Sequence, residues 1–216
     1  SNLTKSDTIR PENTEYYIIH RDNMRYKTSL LLSSIFIEKG TLYQLQLVND
    51  TYRRLQELRA FRNISINFKQ VKSDYLDCYI YLTPISKQSF TFETEGKTSN
   101  SNFGIGGNFI YQNRNLLKGA EVLDFRIRGG LESQKTIENS SNVNIGSSFN
   151  AMEIGPELNL YFPRFLVPFR IGYIAQVNNP KTVFTSAYSY QLRQDYSRYL
   201  TNISFGYTWH ETTKKT

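Results

Sequence analysis

The chain is short of the residues on which most chemistry depends. Its 216 residues include one cysteine, Cys78, two histidines, His20 and His210, two methionines and one tryptophan. A lone cysteine excludes an intrachain disulfide. The two histidines lie far apart in sequence and no Cys/His ligand spacing accompanies them, so nothing here reads as a metal site. Long hydrophobic runs are missing as well: stretches such as Leu30–Leu32 and Phe165–Val167 are brief, and none approaches the 18 or more apolar residues of a transmembrane helix. Basic clusters are absent beyond pairs such as Arg53-Arg54 and Lys214-Lys215. The net charge of +7 divides into +4 over residues 1–87 and +3 over the remainder, which argues against a nucleic-acid footprint. Residues 1–15 have no apolar core of the kind a signal peptide carries. The opening Ser1-Asn2 reads as a tag remnant, and the chain as an excised piece. Gly104 and Gly106 lack the context of a phosphate loop and fit strand positions better.

What the sequence does have is aromatic residues, 14% of the total, with sixteen Tyr and fourteen Phe. That share argues against disorder and for strands. The mean hydropathy of −0.50 does not exclude a membrane β-barrel, because alternating polar and apolar residues average to a soluble-looking value.

The first part of the chain is mixed. Residues 1–14 are expected to be a flexible segment. Glu15 to Arg21 alternates as a short strand, Lys27 to Ile37 is read as a first helix, and Glu38-Lys39-Gly40 as its stop, with Gly40 suited to C′. Leu45, Val48, Tyr52, Leu55, Leu58 and Phe61 recur at three- and four-residue steps, the stripe of a helix of about four to five turns. Arg53, Arg54, Glu57 and Arg59 fall largely outside that stripe and are expected on a solvated face. Two alternating strands follow, Ile64/Ile66/Phe68 and Leu76/Cys78/Ile80/Leu82, joined by a hairpin at Lys72-Ser73-Asp74. The order is β-α-α-β-β over residues 15–87, with Cys78 expected as a small buried hydrophobe.

From Phe90 the period becomes two and stays there. Leu123, Phe125 and Ile127 oppose Asp124, Arg126 and Arg128. Met152, Ile154, Leu158 and Leu160 oppose Glu153, Glu157 and Asn159. Tyr199, Ile203, Phe205, Tyr207 and Trp209 oppose Asn202, Ser204 and Thr208. A soluble sandwich and a membrane barrel both alternate. Strands of about ten residues or more suit a tilted crossing of the bilayer, where globular strands average about five or six. Aromatic residues near the strand ends and charges in strand centres add to the case for a barrel. Residues 88–216 therefore read as an antiparallel sheet of six strands, better suited to a transmembrane β-barrel than to a sandwich. Leu123, Phe125, Ile127, Leu158, Phe205, Tyr207 and Trp209 would face lipid. Among the connections, the first barrel turn, 113–119, is expected on the side of the N-terminal module.

A family resemblance rests on the order of several weak motifs. In the module these are Glu38-Lys39-Gly40-Thr41-Leu42-Tyr43, Val48-Asn49-Asp50-Thr51-Tyr52, Leu55, Leu58 and Phe61-Arg62-Asn63-Ile64. In the barrel part they are Gly104 to Gly107, Tyr111 to Leu117, Gly119-Ala120-Glu121, Phe162-Pro163-Arg164-Phe165 and Ser204-Phe205-Gly206-Tyr207. Together they resemble the POTRA-plus-barrel superfamily of bacterial outer-membrane assembly factors, the BamA and TamA type or bacterial surface antigens, most of all its Bacteroidetes TamA-like (TamL) branch. The resemblance implies a membrane-proximal POTRA domain in the periplasm followed by an outer-membrane barrel. The family closes its barrel with about sixteen strands, and its late barrel-interior Arg motif and final strand are absent. The chain thus reads as the last POTRA domain and the first third of a barrel.

The function so implied is assembly, insertion or translocation of outer-membrane proteins by β-strand augmentation, with no enzyme chemistry and no cofactor. Two pairing edges are expected. One is the first barrel strand, Ser89, Phe90, Thr91, Phe92, Glu93, Thr94 and Glu95. The other is the module strand Asn63, Ile64, Ser65, Ile66, Asn67, Phe68 and Lys69. The partners would be outer-membrane protein clients or a periplasmic protein, together with membrane lipid and, for the piece alone, other copies meeting edge to edge. Nucleic acid is not expected. A Pro at Thr91 in the full-length protein is expected to impair insertion more than a Pro in the Gln134 to Ser147 loop. The alternatives are a passive pore or surface receptor barrel, and a soluble β-rich binding domain.

Overall fold

A computed structural model of the chain describes residues 6–11, 16–21, 23–72, 74–99, 102–133, 149–167 and 180–209. The predicted Gln134 to Ser147 loop, residues 168–179 of the Pro163 to Pro180 connection, and His210 lie outside them. Among the described residues twelve elements follow one another: β1 (Ser6–Ile9), β2 (Ile18–Arg21), α1 (Thr28–Leu32), α2 (Leu45–Glu57), β3 (Phe61–Lys72), β4 (Tyr75–Pro84), β5 (Gln88–Ser99), β6 (Asn102–Asn113), β7 (Val122–Ser133), β8 (Ala151–Phe162), β9 (Lys181–Leu192) and β10 (Ser197–Thr208).

The module differs from its sequence reading in several places. Ser6–Ile9, within the stretch expected to be flexible, is a strand, and it pairs antiparallel with β2. β2 consequently does not become the third strand beside β3 and β4, which form a two-stranded ribbon. Pairing with a neighbour a few residues away costs less loop-closure entropy than crossing two helices to reach β4. α1 is only five residues long because the hydroxyls of Ser33 and Ser34 both donate back to the Leu30 carbonyl, at 3.0 and 2.8 Å, and so compete with helical continuation. Gly40, with φ +76°, serves a turn well beyond the end of α1. α2 ends at Glu57, and Arg59 takes a left-handed φ of 51° that turns the chain into β3, so Phe61 starts a strand.

The buried side of α2 is also rotated from the predicted stripe. Thr51, Arg54, Leu55 and Leu58 are buried, while Leu45 and Tyr52 are exposed. Leu55, Leu58, Tyr26 and Ala60 form the module core, and Ala120, from the turn after β6, completes it. Cys78 is exposed rather than a buried hydrophobe, although partial desolvation pushes its thiol above the usual range.

Beyond the module lies a single meander, in the order β10-β9-β8-β7-β6-β5, with every neighbour antiparallel and every strand twelve residues long. Each strand spans about 40 Å at the usual rise. Register sets Phe90, Tyr111, Phe125, Leu158, Ser186 and Ile203 in one cross-strand row. The row one residue away is Ser89, Gln112, Asp124, Asn159, Thr185 and Ser204, so the sheet has one apolar and one polar face.

Candidate functional site

The sheet is not closed. β5 and β10 are its two ends, and neither has a partner on its outer side among the described residues. The predicted pairing strand Ser89–Glu95 lies within β5. Its backbone orientation follows from one hydrogen bond: Arg114 N–H donates to the Lys87 carbonyl at 2.8 Å, which makes 87↔114 a hydrogen-bonded pair of the antiparallel ladder. Such pairs recur at every second residue, so Ser89, Thr91, Glu93 and Glu95 turn their N–H and C=O groups toward β6. Gln88, Phe90, Phe92, Thr94 and Gly96 turn theirs outward. Thr91 is therefore an inner position, where a proline would break the sheet itself. Thr94 is an outer one, where a proline would remove only a free donor.

Side chains divide in the same alternation. Phe90 and Phe92 are 66% and 74% exposed on the apolar face, with the Phe90 ring 5.1 Å from that of Tyr111. Glu93 accepts from the Asn108 amide at 3.3 Å on the polar face, and Glu95 pairs with Lys97 at 2.8 Å. The second predicted edge, Asn63–Lys69, is in β3, whose one strand partner among the described residues is β4. Ile64, Ser65, Ile66 and Phe68 are half-buried there, and Asn63, Asn67 and Lys69 are exposed.

The residues expected to face lipid share the apolar face. Leu123, Phe125, Ile127 and Leu158 are half-exposed in the middle of the sheet, while Phe205, Tyr207 and Trp209 are exposed at the β10 end. On the polar face a hollow of about 420 Å³ is lined by Arg114, Asp124, Arg126, Glu157 and Asn159, among others. Gln112 donates to Asp124 at 2.6 Å and Thr185 to Asn159 at 2.7 Å, linking the strands across it. Among the described residues no three His, Cys, Asp or Glu side chains gather as a metal would require. Among the described residues no helix is long and apolar enough to cross a membrane, which says nothing of crossing by strands.

Sequence reasoning missed the residues that fix the sheet to the module. The turn from Asn113 to Glu121 is inserted into the module. Asn115 accepts from Ala120 N–H at 3.2 Å and donates to the Arg25 carbonyl at 2.7 Å, and Lys27 N–H donates to the Lys118 carbonyl at 2.8 Å. Glu121, 1% exposed, receives the N–H groups of Leu117 and Gly119 on one carboxylate oxygen, at 3.1 and 2.9 Å. A Cβ on Gly119 would run into the other oxygen, so a larger residue there would have to displace the buried carboxylate. Lys118 and Ala120 both adopt positive φ, 65° and 58°. Arg54 is not on a solvated face: it is 7% exposed and donates to the Pro163 carbonyl at 3.0 Å, and burial holds its guanidinium below its usual range. Thr182 ties the same connection together, donating to Arg164 and accepting from Leu166. The expectation that the 113–119 turn lies with the module is met. The available signal was the motif order, since Gly119-Ala120-Glu121 and Phe162-Pro163-Arg164 are the stretches that make these contacts.

No protein-family model matches the chain, and no curated protein matches it. A crystal structure of BamA from Haemophilus ducreyi lacking POTRA domains 1–3 aligns over 97% of this chain and 50% of that one, with 14% sequence identity and a TM-score of 0.37. The chain thus spans about half the length of that structure.

Proposed function

We propose that the chain is the membrane-proximal, POTRA-like module and the opening strands of an outer-membrane protein assembly, insertion or translocation factor, which acts by pairing client strands with β5. The module lies on the periplasmic side, the apolar face of the sheet meets lipid, and no covalent chemistry is involved. The observation that carries this reading is the free edge of β5. It offers a twelve-residue strand whose outward backbone groups have no strand partner among the described residues, at the end of a sheet whose apolar face is largely exposed. A sheet edge of that length is a template for an incoming strand. Polar Thr91, Glu93 and Thr94, with Gly96, fix register weakly and suit an exchangeable partner.

The test uses the full-length protein. Thr94→Pro removes an outward donor while leaving the β5–β6 ladder whole, and Asp195→Pro places the same residue in the β9–β10 turn. Client insertion into the outer membrane should fall severalfold with the first and stay near wild type with the second. Equal, mild effects of both would sink the reading.

A further inference from the structure

Arg126, half-buried in β7, lines the hollow on the polar face of the sheet. Its cross-strand neighbours are Ile110 of β6, which offers no side-chain acceptor, and Glu157 of β8. Asp124 stands two residues away on the same strand and the same face. An arginine and a glutamate directly opposite one another on adjacent strands are placed to pair. Here both carboxylates are engaged by amides instead: Asp124 accepts from Gln112 and Glu157 from Asn159, each at 2.6 Å. Thr185 donates to the carbonyl oxygen of Asn159 at 2.7 Å, which keeps the amino group of that amide toward Glu157. Among the described residues the Arg126 guanidinium makes no hydrogen bond and no ion pair. A second guanidinium in the hollow, that of Arg114, makes a long contact of 3.5 Å with the Ser86 carbonyl.

We propose that Arg126 anchors a site for an acidic side chain, the carboxylate of an Asp or Glu on a polypeptide segment passing over the polar face. The proposal rests on the membrane reading above only in taking that face as the lumen, and it needs no pairing with β5. A guanidinium presents five donors in a planar fork, which a carboxylate meets with two parallel hydrogen bonds. Removing the remaining water from a half-buried cation is costly unless an anion replaces it. Asp124 and Glu157 stay close enough to oppose a dianion, which favours the singly charged carboxylate over a phosphate. The hollow, at about 420 Å³, is larger than one carboxylate needs. Its walls also carry Ser89, Thr91, Gln112 and Asn159, whose hydroxyls and amides match the peptide groups on either side of an acidic residue.

The experiment uses the full chain folded in detergent and two end-blocked peptides, Ser-Gly-Ser-Glu-Ser-Gly-Ser and its counterpart with Gln at the centre. Binding is followed by nuclear magnetic resonance at the Nε–H of Arg126, a signal identified by its loss in Arg126→Gln. The glutamate peptide should shift that signal and bind about tenfold tighter than the glutamine one, the discrimination a charge-assisted hydrogen bond supplies. In Arg126→Gln the two peptides should bind alike, at the affinity the glutamine peptide has for the unaltered chain. Acetate and inorganic phosphate, at the same concentrations, should not displace the glutamate peptide. If the two peptides bind the unaltered chain equally, the carboxylate site is overturned. If acetate or phosphate competes as well as the peptide itself, the site is one for a free anion and the polypeptide assignment is overturned. The peptide comparison on the unaltered chain holds even where Arg126→Gln disturbs the sheet. None of these outcomes bears on the β5 edge, which the Thr94→Pro comparison tests separately.

Discussion

Glu121 is the residue on which the base of the sheet turns. Its buried carboxylate serves two backbone donors and is held against Gly119. Glu121→Ala should leave both donors unpaired and cost about 1–3 kcal/mol for each, less whatever water regains. Gly119→Ala should cost a comparable amount through the clash, and chemical denaturation in detergent measures both. Tyr26 gives a second residue-scale prediction. Its hydroxyl donates to the Ala60 carbonyl at 2.9 Å, and burial raises its pKa above the ordinary 10.0. The unfolded chain therefore loses this proton first. The module's stability should fall as pH rises past 10 toward the folded value, and Tyr26→Phe should remove that part of the pH dependence at the cost of the hydrogen bond. Residue roles of this kind were the least legible in the sequence. Arg54 looks like any charged helix residue, and its burial depends on Pro163, more than a hundred positions away. Likewise, the rotation of α2 toward Thr51 and Leu55 is set by what packs on it, and the Leu45–Tyr52 periodicity carries no information about that.

Strands were far more legible than helices. Each of the six long strands, with its division into faces, follows from period-two alternation, because a sheet with one apolar side must place every second residue there. Helix ends were harder: α1 stops where two serine hydroxyls compete for a carbonyl, a local event that an apolar stripe does not record. One irregularity inside the sheet was not foreseen. The β8–β9 register is interrupted at Gly155 and Pro156, while Pro156 remains opposite Ile127 on the β7 side. The missing proline N–H therefore faces β9, and the β8–β9 pairing should be the weakest inside the sheet. Amide exchange at Tyr188 should be faster than at Ser186 or Tyr190, whose N–H groups also face β8. Pro156→Val should slow it.

At the scale of the whole molecule, exposed aromatic and aliphatic side chains cover one side of an unclosed sheet, from Phe90 and Phe92 at one end to Phe205 and Trp209 at the other. A patch of that size demands a cover. Light scattering should show self-association without detergent and a discrete particle with it. A monodisperse monomer in plain buffer would contradict the lipid-facing assignment. The pairing of β2 with β1 was beyond the sequence for a related reason: alternation tells which residues can form strands, whereas the choice of partner depends on competing closures. The first turn of the sheet has a further consequence. Because Ala120 fills the same core as Leu55 and Leu58, and Asn115 reaches the backbone of Arg25, the border between module and sheet does not coincide with any cut in the chain. Transplanting the module onto another sheet would leave a vacancy where Ala120 belongs. In recombination the heritable unit is therefore residues 23–84 together with 113–121, two pieces that must travel as one.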